Sequence, residues 1–275
     1  MTAKPELQPV KEISSLRGYK NLLSKENRTW WRTNRWWINA IVWTAAVCGL
    51  VSIMLFMMPN LPGMGEDPNA IAAGGPVAFG RQMGIQVFFE FGAVMFALGT
   101  IILTQDLIVQ EKQSGVIEWL LAKPVTRGSY LLAKLAGSLI GIMVLVVGLP
   151  SLISYFLFGL QTGEYLPLIP YLTGVGSLAS HTIFYLTLTL MLGAYFSSST
   201  PILAVSIGIL FGGKLLVGAF QPLMNATPWL IGKLANLANT QAIPLNALLA
   251  PTLATLAWSV LFTIAGTRII NRKEF

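Results

Sequence analysis

The chain has 275 residues, of which 54% are hydrophobic and only 11% are charged, whereas about a quarter of the residues in a soluble globular domain are charged. This composition excludes a water-soluble fold. The single cysteine, Cys48, excludes an intrachain disulfide and leaves no thiol framework for a redox or metal centre.

The amino-terminal part of the chain is polar and basic. We expect residues 1–19 to form an N-terminal cytoplasmic extension with a flexible start. In residues 20–36, tryptophans alternate with arginines, a combination that favours the headgroup layer of a membrane. This pattern predicts an elbow helix that lies on the inner membrane surface, with a plain aromatic belt before the first span as the alternative.

Long apolar runs follow along the rest of the chain. A helix needs about 20 apolar residues to cross the hydrocarbon core of a bilayer, and these runs are continuous rather than alternating, which favours helices over a β-barrel. We therefore predict an all-α integral membrane protein with six spans, at residues 37–58, 84–107, 130–158, 169–196, 201–220 and 246–267. The glycine-containing stretch Gly137–Gly141 favours close helix packing.

The distribution of lysine and arginine predicts the orientation. Residues 1–36 contain eight of them, residues 108–134 contain four and the carboxyl-terminal tail contains three, which is fifteen of the eighteen in the chain. Cytoplasmic loops carry this excess, so both termini are predicted to be cytoplasmic. We expect a multi-pass protein of the cell (plasma) membrane, specifically a bacterial inner membrane. The net charge of +7 then reflects contact with membrane lipid and not with nucleic acid.

Two segments on the outer side differ in character. Residues 59–83 are rich in glycine and proline and are expected to form a loop without a helix or a strand. In residues 221–245, between Pro228 and Pro244, leucines share one side of a short helical pattern while Asn236 and Asn239 lie elsewhere. This pattern predicts a short interfacial helix that does not cross the membrane.

The segment between the second and third spans is the most informative. Glu111, Ser114 and Glu118 have the spacing of one helical face, while apolar residues pair four positions apart. We predict a short amphipathic helix that ends at Pro124, followed by a helix that Thr126 caps. A short helix joined rigidly to two spans is what a motor subunit requires in order to move both of them.

This segment resembles the cytoplasmic loop of the type-two ABC exporter permeases, in which Glu-Lys-x-x-Gly-x-x-Glu-x-Leu-Leu-x-x-Pro-Val-x-Arg is followed by a lysine. The matching positions are Glu111, Lys112, Gly115, Glu118, Leu120, Leu121, Pro124, Val125, Arg127 and Lys134. Lys25 and Glu26 at the start of the basic helix, the six-span layout and the long loop after the first span extend the resemblance over most of the chain. Residues 1–19 are not part of the family pattern.

The resemblance implies a single six-span permease domain over residues 20–275, in an exporter driven by ATP. Its partners would be two cytoplasmic ABC ATPase subunits and a second permease copy, identical or paralogous. The residues implied at the ATPase-coupling interface are Glu111, Lys112, Gly115, Glu118, Leu120, Leu121, Pro124, Arg127 and Lys134. This coupling helix would drive alternating access, which moves the substrate outward or laterally out of the membrane.

No nucleotide site is predicted in this chain. A phosphate-binding loop requires G-x-x-x-x-G-K-[ST], and the stretch Gly212–Leu215 lacks both the spacing and the hydroxyl. We therefore expect no catalytic residue, no metal site and no cofactor bound by this chain, with ATP and Mg²⁺ held by the partner ATPase.

Three ionisable residues, Glu90, His181 and Lys214, fall within predicted spans, where a charge costs roughly 2.5–3.5 kcal/mol on insertion scales. Glu90 and Lys214 lie at similar predicted depths and are predicted to form an ion pair. The alternative is that Lys214 reaches the outer headgroups while Glu90 is protonated or faces water. His181 is interpreted as a structural histidine bonded to a neighbouring carbonyl or hydroxyl, with a proton or substrate contact as the alternative.

Two other classes of protein are compatible with six spans. An intramembrane serine hydrolase would use Ser177 and His181, but both lie on one helix and the serine lacks the strained glycine elbow of such nucleophiles. An ion-coupled secondary carrier would need no ATPase, but it would show inverted halves with broken helices, and no such symmetry is visible. The sequence leaves the transported substrate open.

Overall fold

The computed structural model describes residues 18–121, 125–219 and 225–272. The protein is 83% helical, with no strand in the described residues, and six of its helices are long and apolar enough to cross a membrane. These are Arg35–Asn60, Pro76–Gln113, Arg127–Thr162, Leu168–Tyr195, Ser199–Val217 and Leu245–Arg272. The predicted all-α fold with six spans is confirmed.

The described α-helices are numbered in chain order. They are α1 (Tyr19–Trp31), α2 (Arg35–Ser52), α3 (Pro68–Ala72), α4 (Pro76–Gln86), α5 (Gly92–Thr104), α6 (Val109–Gln113), α7 (Val116–Leu121), α8 (Arg127–Ile142), α9 (Leu149–Thr162), α10 (Leu168–Tyr195), α11 (Ser199–Ala219), α12 (Ile231–Asn239) and α13 (Leu249–Arg272).

Three of the spans contain a π-helical turn. These turns are Ile53–Met57 after α2, Val87–Phe91 between α4 and α5, and Met143–Gly148 between α8 and α9. Pro59 and Pro150 follow the first and the third of them. Because proline lacks an amide hydrogen and its ring displaces the carbonyl four residues earlier, the helix widens at that point. No proline accounts for the turn at Val87–Phe91, which contains Glu90.

The long helix α10 is the centre of the bundle. Most of its side chains are buried, and it packs against α5, α12 and α13. Aromatic rings fill the space beside it, where Phe88 stacks on Tyr171 with ring centroids 5.5 Å apart. The outer faces of α2, α11 and α13 carry many exposed apolar side chains, as expected of helices that face lipid.

The amino-terminal helix is shorter and more closely integrated than predicted. α1 ends at Trp31, and residues 32–34 form a turn before α2. Leu22, Glu26 and Trp30 recur every four residues on its buried face. Trp30 therefore packs inside the protein and not in a headgroup layer, while the tryptophans that begin α2 are exposed.

The expectation of an irregular loop over residues 59–83 is wrong, because α3 and the first part of α4 lie there. Asp67 Oδ1 accepts a hydrogen bond from the backbone amide of Asn69 at 2.7 Å, and Pro68 and Pro76 occupy the first turn of their helices. Proline is favoured at this position, since the amide that it lacks would have no partner there. These residues begin helices instead of interrupting them.

The short helix predicted between Pro228 and Pro244 is present as α12, but it buries a different face. Asn236 and Asn239 are buried, and Asn239 Nδ2 donates a hydrogen bond to the carbonyl of Pro170 at 3.2 Å. This polar side of α12 therefore packs against α10.

α1 and α8 approach each other closely at two glycines of α8. A Cβ atom at Gly137 would lie 2.6 Å from Glu26 Cβ, and a Cβ atom at Gly141 would overlap the indole ring of Trp30. Only residues without a side chain allow this approach. The predicted role of this stretch in close helix packing is confirmed.

Replacing Gly141 by alanine is expected to lower the free energy of unfolding by about 1–3 kcal/mol, because the added methyl group overlaps Trp30 and α1 must shift. Reversible unfolding in mixed micelles measures this change. Gly49→Ala is the matched control, since a Cβ atom there meets no atom within 4 Å and helix propensity favours alanine. Equal stability of the two variants would contradict the close packing of α1 on α8.

Candidate functional site

The segment between the second and third spans forms two short helices instead of the single helix predicted. α6 ends at Gln113 and α7 begins at Val116. Between them, Gly115 has a φ of 68°, a left-handed conformation that glycine adopts readily and that ends helices. Glu111 and Glu118 therefore do not share one continuous helical face.

Glu111 lies at the centre of a group of charges between α1, α6 and α8. Its carboxylate accepts hydrogen bonds from Lys25 Nζ at 2.9 Å and from the Tyr130 hydroxyl at 2.7 Å. Lys134 Nζ lies 3.2 Å from Glu111 Oε2 and donates to Glu26 Oε1, also at 3.2 Å. These five residues are termed the charged cluster.

Burial determines how strongly each member of the charged cluster holds these helices together. The side chain of Lys134 is 4% exposed, whereas that of Lys25 is 47% exposed. Exposed ion pairs contribute about 0–1 kcal/mol, while removing one member of a buried pair costs about 3–5 kcal/mol because its partner is left unpaired. Lys134 is thus the member on which the cluster depends most.

Lys112 fastens the segment to the central helix. Its ammonium group donates hydrogen bonds to the carbonyls of Gly193 at 2.6 Å, Ala194 at 2.8 Å and Phe196 at 3.0 Å. The last carbonyls of a helix have no partner within it and carry partial negative charge. The cation therefore satisfies the end of α10 and fixes α6 to it. Gln113 adds a bond to the turn after α10 at 3.1 Å.

Arg127 fastens the start of α8 to the end of α13. Its guanidinium group donates to the carbonyls of Ile270 and Asn271, both at 3.1 Å. Thr126 caps α8 as predicted, since its side chain accepts a hydrogen bond from the backbone amide of Ser129 at 3.3 Å. Both ends of the segment are therefore bonded to helices distant in sequence.

The outward side of α7 carries Glu118 and Trp119, and 64% of Trp119 is exposed. Ile117 and Leu120 are buried and attach α7 to the rest of the protein. Tryptophan is enriched in protein interfaces, so this side of α7 has the composition of a contact surface. Sequence reasoning missed Trp119 because it lies between the positions of the family pattern, and its residue type was the only available signal.

Of the residues implied at the ATPase interface, those that the structure describes are either bonded or buried within the chain, or are exposed to some degree. Glu111, Lys112, Arg127 and Lys134 form bonds within the chain, and Leu120 is buried. Gly115 is partly exposed and Glu118 is exposed. The side chain of Leu121 and the whole of Pro124 lie outside the described residues. The interface itself stays a prediction.

The ionisable residues predicted within the spans come together in one place. Glu90, His181 and Lys214 line a cavity of about 120 Å³ that also includes Lys233, and this cavity is termed the polar pocket. Glu90 Oε1 accepts a hydrogen bond from Asn236 Nδ2 at 2.9 Å. Within the described part of the chain, Glu90 and Lys214 form no direct ion pair, so the predicted partners share a pocket instead.

His181 lacks the partner that the sequence predicts. It is 2% exposed, and its Nδ1 has no hydrogen-bond partner among the described residues. Ser177 Oγ instead donates to the Thr173 carbonyl at 3.0 Å and accepts from Thr252 Oγ1 at 3.1 Å. A serine that is not bonded to a base is not an activated nucleophile, so this geometry does not favour a hydrolase.

No metal centre is evident in the part of the chain that the structure describes. There, no three or more His, Cys, Asp or Glu side chains are grouped so that they could hold a metal ion. The ionisable side chains described above are instead used in ion pairs, in caps of helix ends and in the polar pocket.

Six apolar helices define a multi-pass integral membrane protein. The sequence model of the ABC-2 family transporter proteins matches residues 20–274, and the chain therefore belongs to this family. It is a permease component of an ABC transporter, a class of membrane protein that generally works with ATPase subunits. No curated protein matches the chain.

Proposed function

We propose that the chain is the permease of an ABC exporter, in which α6 and α7 bind a separate cytoplasmic ATPase subunit. The observation that supports this most directly is the attachment of the segment to α1, α8, α10 and α13, through Glu111, Lys112 and Arg127. A loop that only connects two spans would not require these bonds. A segment that receives force from a motor subunit would require them, because the force has to reach the other helices.

Each attachment would pass a displacement to a different helix. Lys112 joins the segment to the end of α10, Arg127 joins α8 to the end of α13, and Lys134 joins α1 to α8. α10 and α13 also pack extensively against each other. Movement of α7 would therefore shift the helices as a group, which is the type of motion that alternating access requires.

The outward side of α7 is the proposed contact with the ATPase. Gly115 allows α7 to turn away from α6, and Glu118 and Trp119 are exposed there. Leu121 and Pro124 follow directly in the sequence. Tryptophan is prominent among the residues that contribute most to binding, and the Glu118 carboxylate can pair with a basic residue of the ATPase.

The complete exporter would contain two ATPase subunits and a second permease copy. In it, residues 20–275 would form the permease domain and residues 1–19 a cytoplasmic extension. ATP and Mg²⁺ would be bound by the ATPase and not by this chain. The excess of lysine and arginine in residues 1–36 and 108–134 supports cytoplasmic termini and a cytoplasmic coupling segment in a bacterial inner membrane.

Lys112→Met is expected to leave the ATPase bound and active while it removes the response of α10 to nucleotide. The reason is that the methionine side chain cannot hold the carbonyls at the end of α10. Hydrogen exchange of the reconstituted complex, measured by mass spectrometry with and without ATP, reports on each helix separately. In Arg127→Gln, the response of α13 is expected to be lost and that of α10 to be retained.

Gln113→Ala is the matched control, because it removes a neighbouring bond from an exposed side chain and should keep both responses. The proposal fails if Lys112→Met and Arg127→Gln each retain both responses. It also fails if the purified chain brings no ATPase with it, since a secondary carrier is isolated alone.

A further inference from the structure

The polar pocket is lined by a buried histidine whose ring nitrogen the described part of the chain does not satisfy. Among the described residues, His181 Nδ1 is buried without a hydrogen-bond partner, and His181 lines the pocket. Glu90 also lines the pocket, and its carboxylate accepts a hydrogen bond from the amide nitrogen of Asn236 at 2.9 Å. Since nearly all buried polar groups in proteins are paired, this nitrogen is available to a polar group from outside the chain.

The charges around the polar pocket do not cancel. Lys214 and Lys233 oppose the single carboxylate of Glu90, and that carboxylate already accepts the amide of Asn236. The two ammonium groups come from different elements, α11 and α12. An excess of positive charge at a partly enclosed site favours an anionic group.

A larger apolar cavity of about 460 Å³ adjoins the polar pocket, and Trp229 lines both of them. Its wall comes mainly from α11, residues 227–229 and α13, and it is rich in aromatic and aliphatic side chains: Phe184, Ile209, Leu216, Trp258 and Phe262. Gly208 and Gly212 widen it, because a Cβ atom at either position meets no atom within 4 Å. Such a wall accommodates a hydrocarbon chain.

We propose that the two cavities form one binding site for a single-chain anionic amphiphile. The hydrocarbon tail occupies the apolar cavity, and the anionic head group lies between Lys214 and Lys233, within reach of His181. Because the tails of the surrounding lipids are as apolar as the cavity, the head group provides the selectivity. The proposal names the substrate class of the permease and in that respect rests on the proposed function.

Binding of dibrominated stearate to the full chain in phosphatidylcholine nanodiscs tests the site. Bromine atoms on the tail quench nearby tryptophans, and Trp229 and Trp258 line the apolar cavity. We expect saturable quenching, reduced in Trp258→Phe and largely lost when Trp229→Phe is added. The dibrominated alcohol with the same tail is expected to bind at least about tenfold more weakly, because charge-assisted hydrogen bonds are the strong ones. Equal affinity for the two probes would overturn the proposal.

Three variants locate the two ends of the ligand. Gly212→Leu extends a side chain into the apolar cavity and is expected to abolish the quenching. Lys214→Gln combined with Lys233→Gln is expected to reduce the affinity for the stearate probe about tenfold, to that for the alcohol. Gly176 lies outside both cavities, and a Cβ atom there meets no atom within 4 Å, so Gly176→Leu is expected to bind as the parent does. Thermal unfolding confirms that each variant is folded.

Unchanged quenching in Gly212→Leu would show that the tail does not enter the apolar cavity, and the proposal would be overturned. Acetate that competes as well as stearate would indicate a simple anion site and would overturn the amphiphile assignment. No ATPase is present in this experiment, so a negative result leaves the proposed coupling function untouched. Conversely, a permease that fails to recruit an ATPase would still bind the probe.

Discussion

Replacing Lys134 by methionine is expected to lower the free energy of unfolding by about 3–5 kcal/mol, the cost of breaking a buried ion pair from one side. Lys134 Nζ lies 3.2 Å from a carboxylate oxygen of Glu26 and 3.2 Å from one of Glu111. Without it, two carboxylates lose the cation that they share. Reversible unfolding in mixed micelles measures the loss, and faster hydrogen exchange in α1 is expected with it, because Glu26 is the polar anchor of that helix.

Lys25→Met is the matched control. Lys25 contacts the same carboxylate at 2.9 Å but is 47% exposed, so its removal is expected to cost only about 0–1 kcal/mol. Adding Glu26→Gln to Lys134→Met should restore part of the stability, because one unpaired charge is removed. If Lys134→Met destabilises no more than Lys25→Met, the charged cluster does not hold α1 on α8.

Replacing Trp119 by alanine is expected to weaken binding of the ATPase by about 30-fold or more, equivalent to about 2 kcal/mol, which is the usual threshold for a dominant interface residue. The side chain is 64% exposed, so the stability of the isolated permease should change little. Glu118→Arg should weaken binding further, because it reverses a charge on the same exposed side. Titration of the purified ATPase onto the permease in nanodiscs measures both effects.

Trp36→Ala is the control for loss of an exposed tryptophan. Trp36 is 45% exposed and lies in α2, outside α6 and α7. The Trp36→Ala variant should bind the ATPase with the same affinity as the parent protein. An ATPase that binds the Trp119→Ala variant with unchanged affinity would remove the outward side of α7 from the interface.

The spans were predictable because a bilayer imposes a simple requirement. A long apolar helix satisfies all of its own backbone hydrogen bonds, and hydropathy alone reveals it. All six predicted spans correspond to helices of the structure. Helix starts are less predictable: the prolines of residues 59–83 indicate a loop, but Pro68 and Pro76 occupy the first turn of their helices, a position that suits proline.

The bonds that hold α6 and the start of α8 to distant helices were not predictable from one sequence. Lys25 and Glu111 are 86 residues apart, and Glu26 and Lys134 are 108 apart, so no local periodicity relates them. The family pattern identified which charged residues matter, but it did not indicate which of them bind each other. The break at Gly115 had a local signal, since glycine is common where helices end, but the spacing of Glu111, Ser114 and Glu118 favoured a continuous helix.

The π-helical turns make the spans unequal in stiffness. Each turn departs from the regular hydrogen-bond register, so the first, second and third spans can flex at Ile53–Met57, Val87–Phe91 and Met143–Gly148. α10 is regular over 28 residues, about 42 Å of helix. We expect α10 to move as a rigid rod. A displacement at its carboxyl-terminal end, where Lys112 binds, would then reach His181 in the polar pocket as a change in the tilt of the helix, without a change in its length.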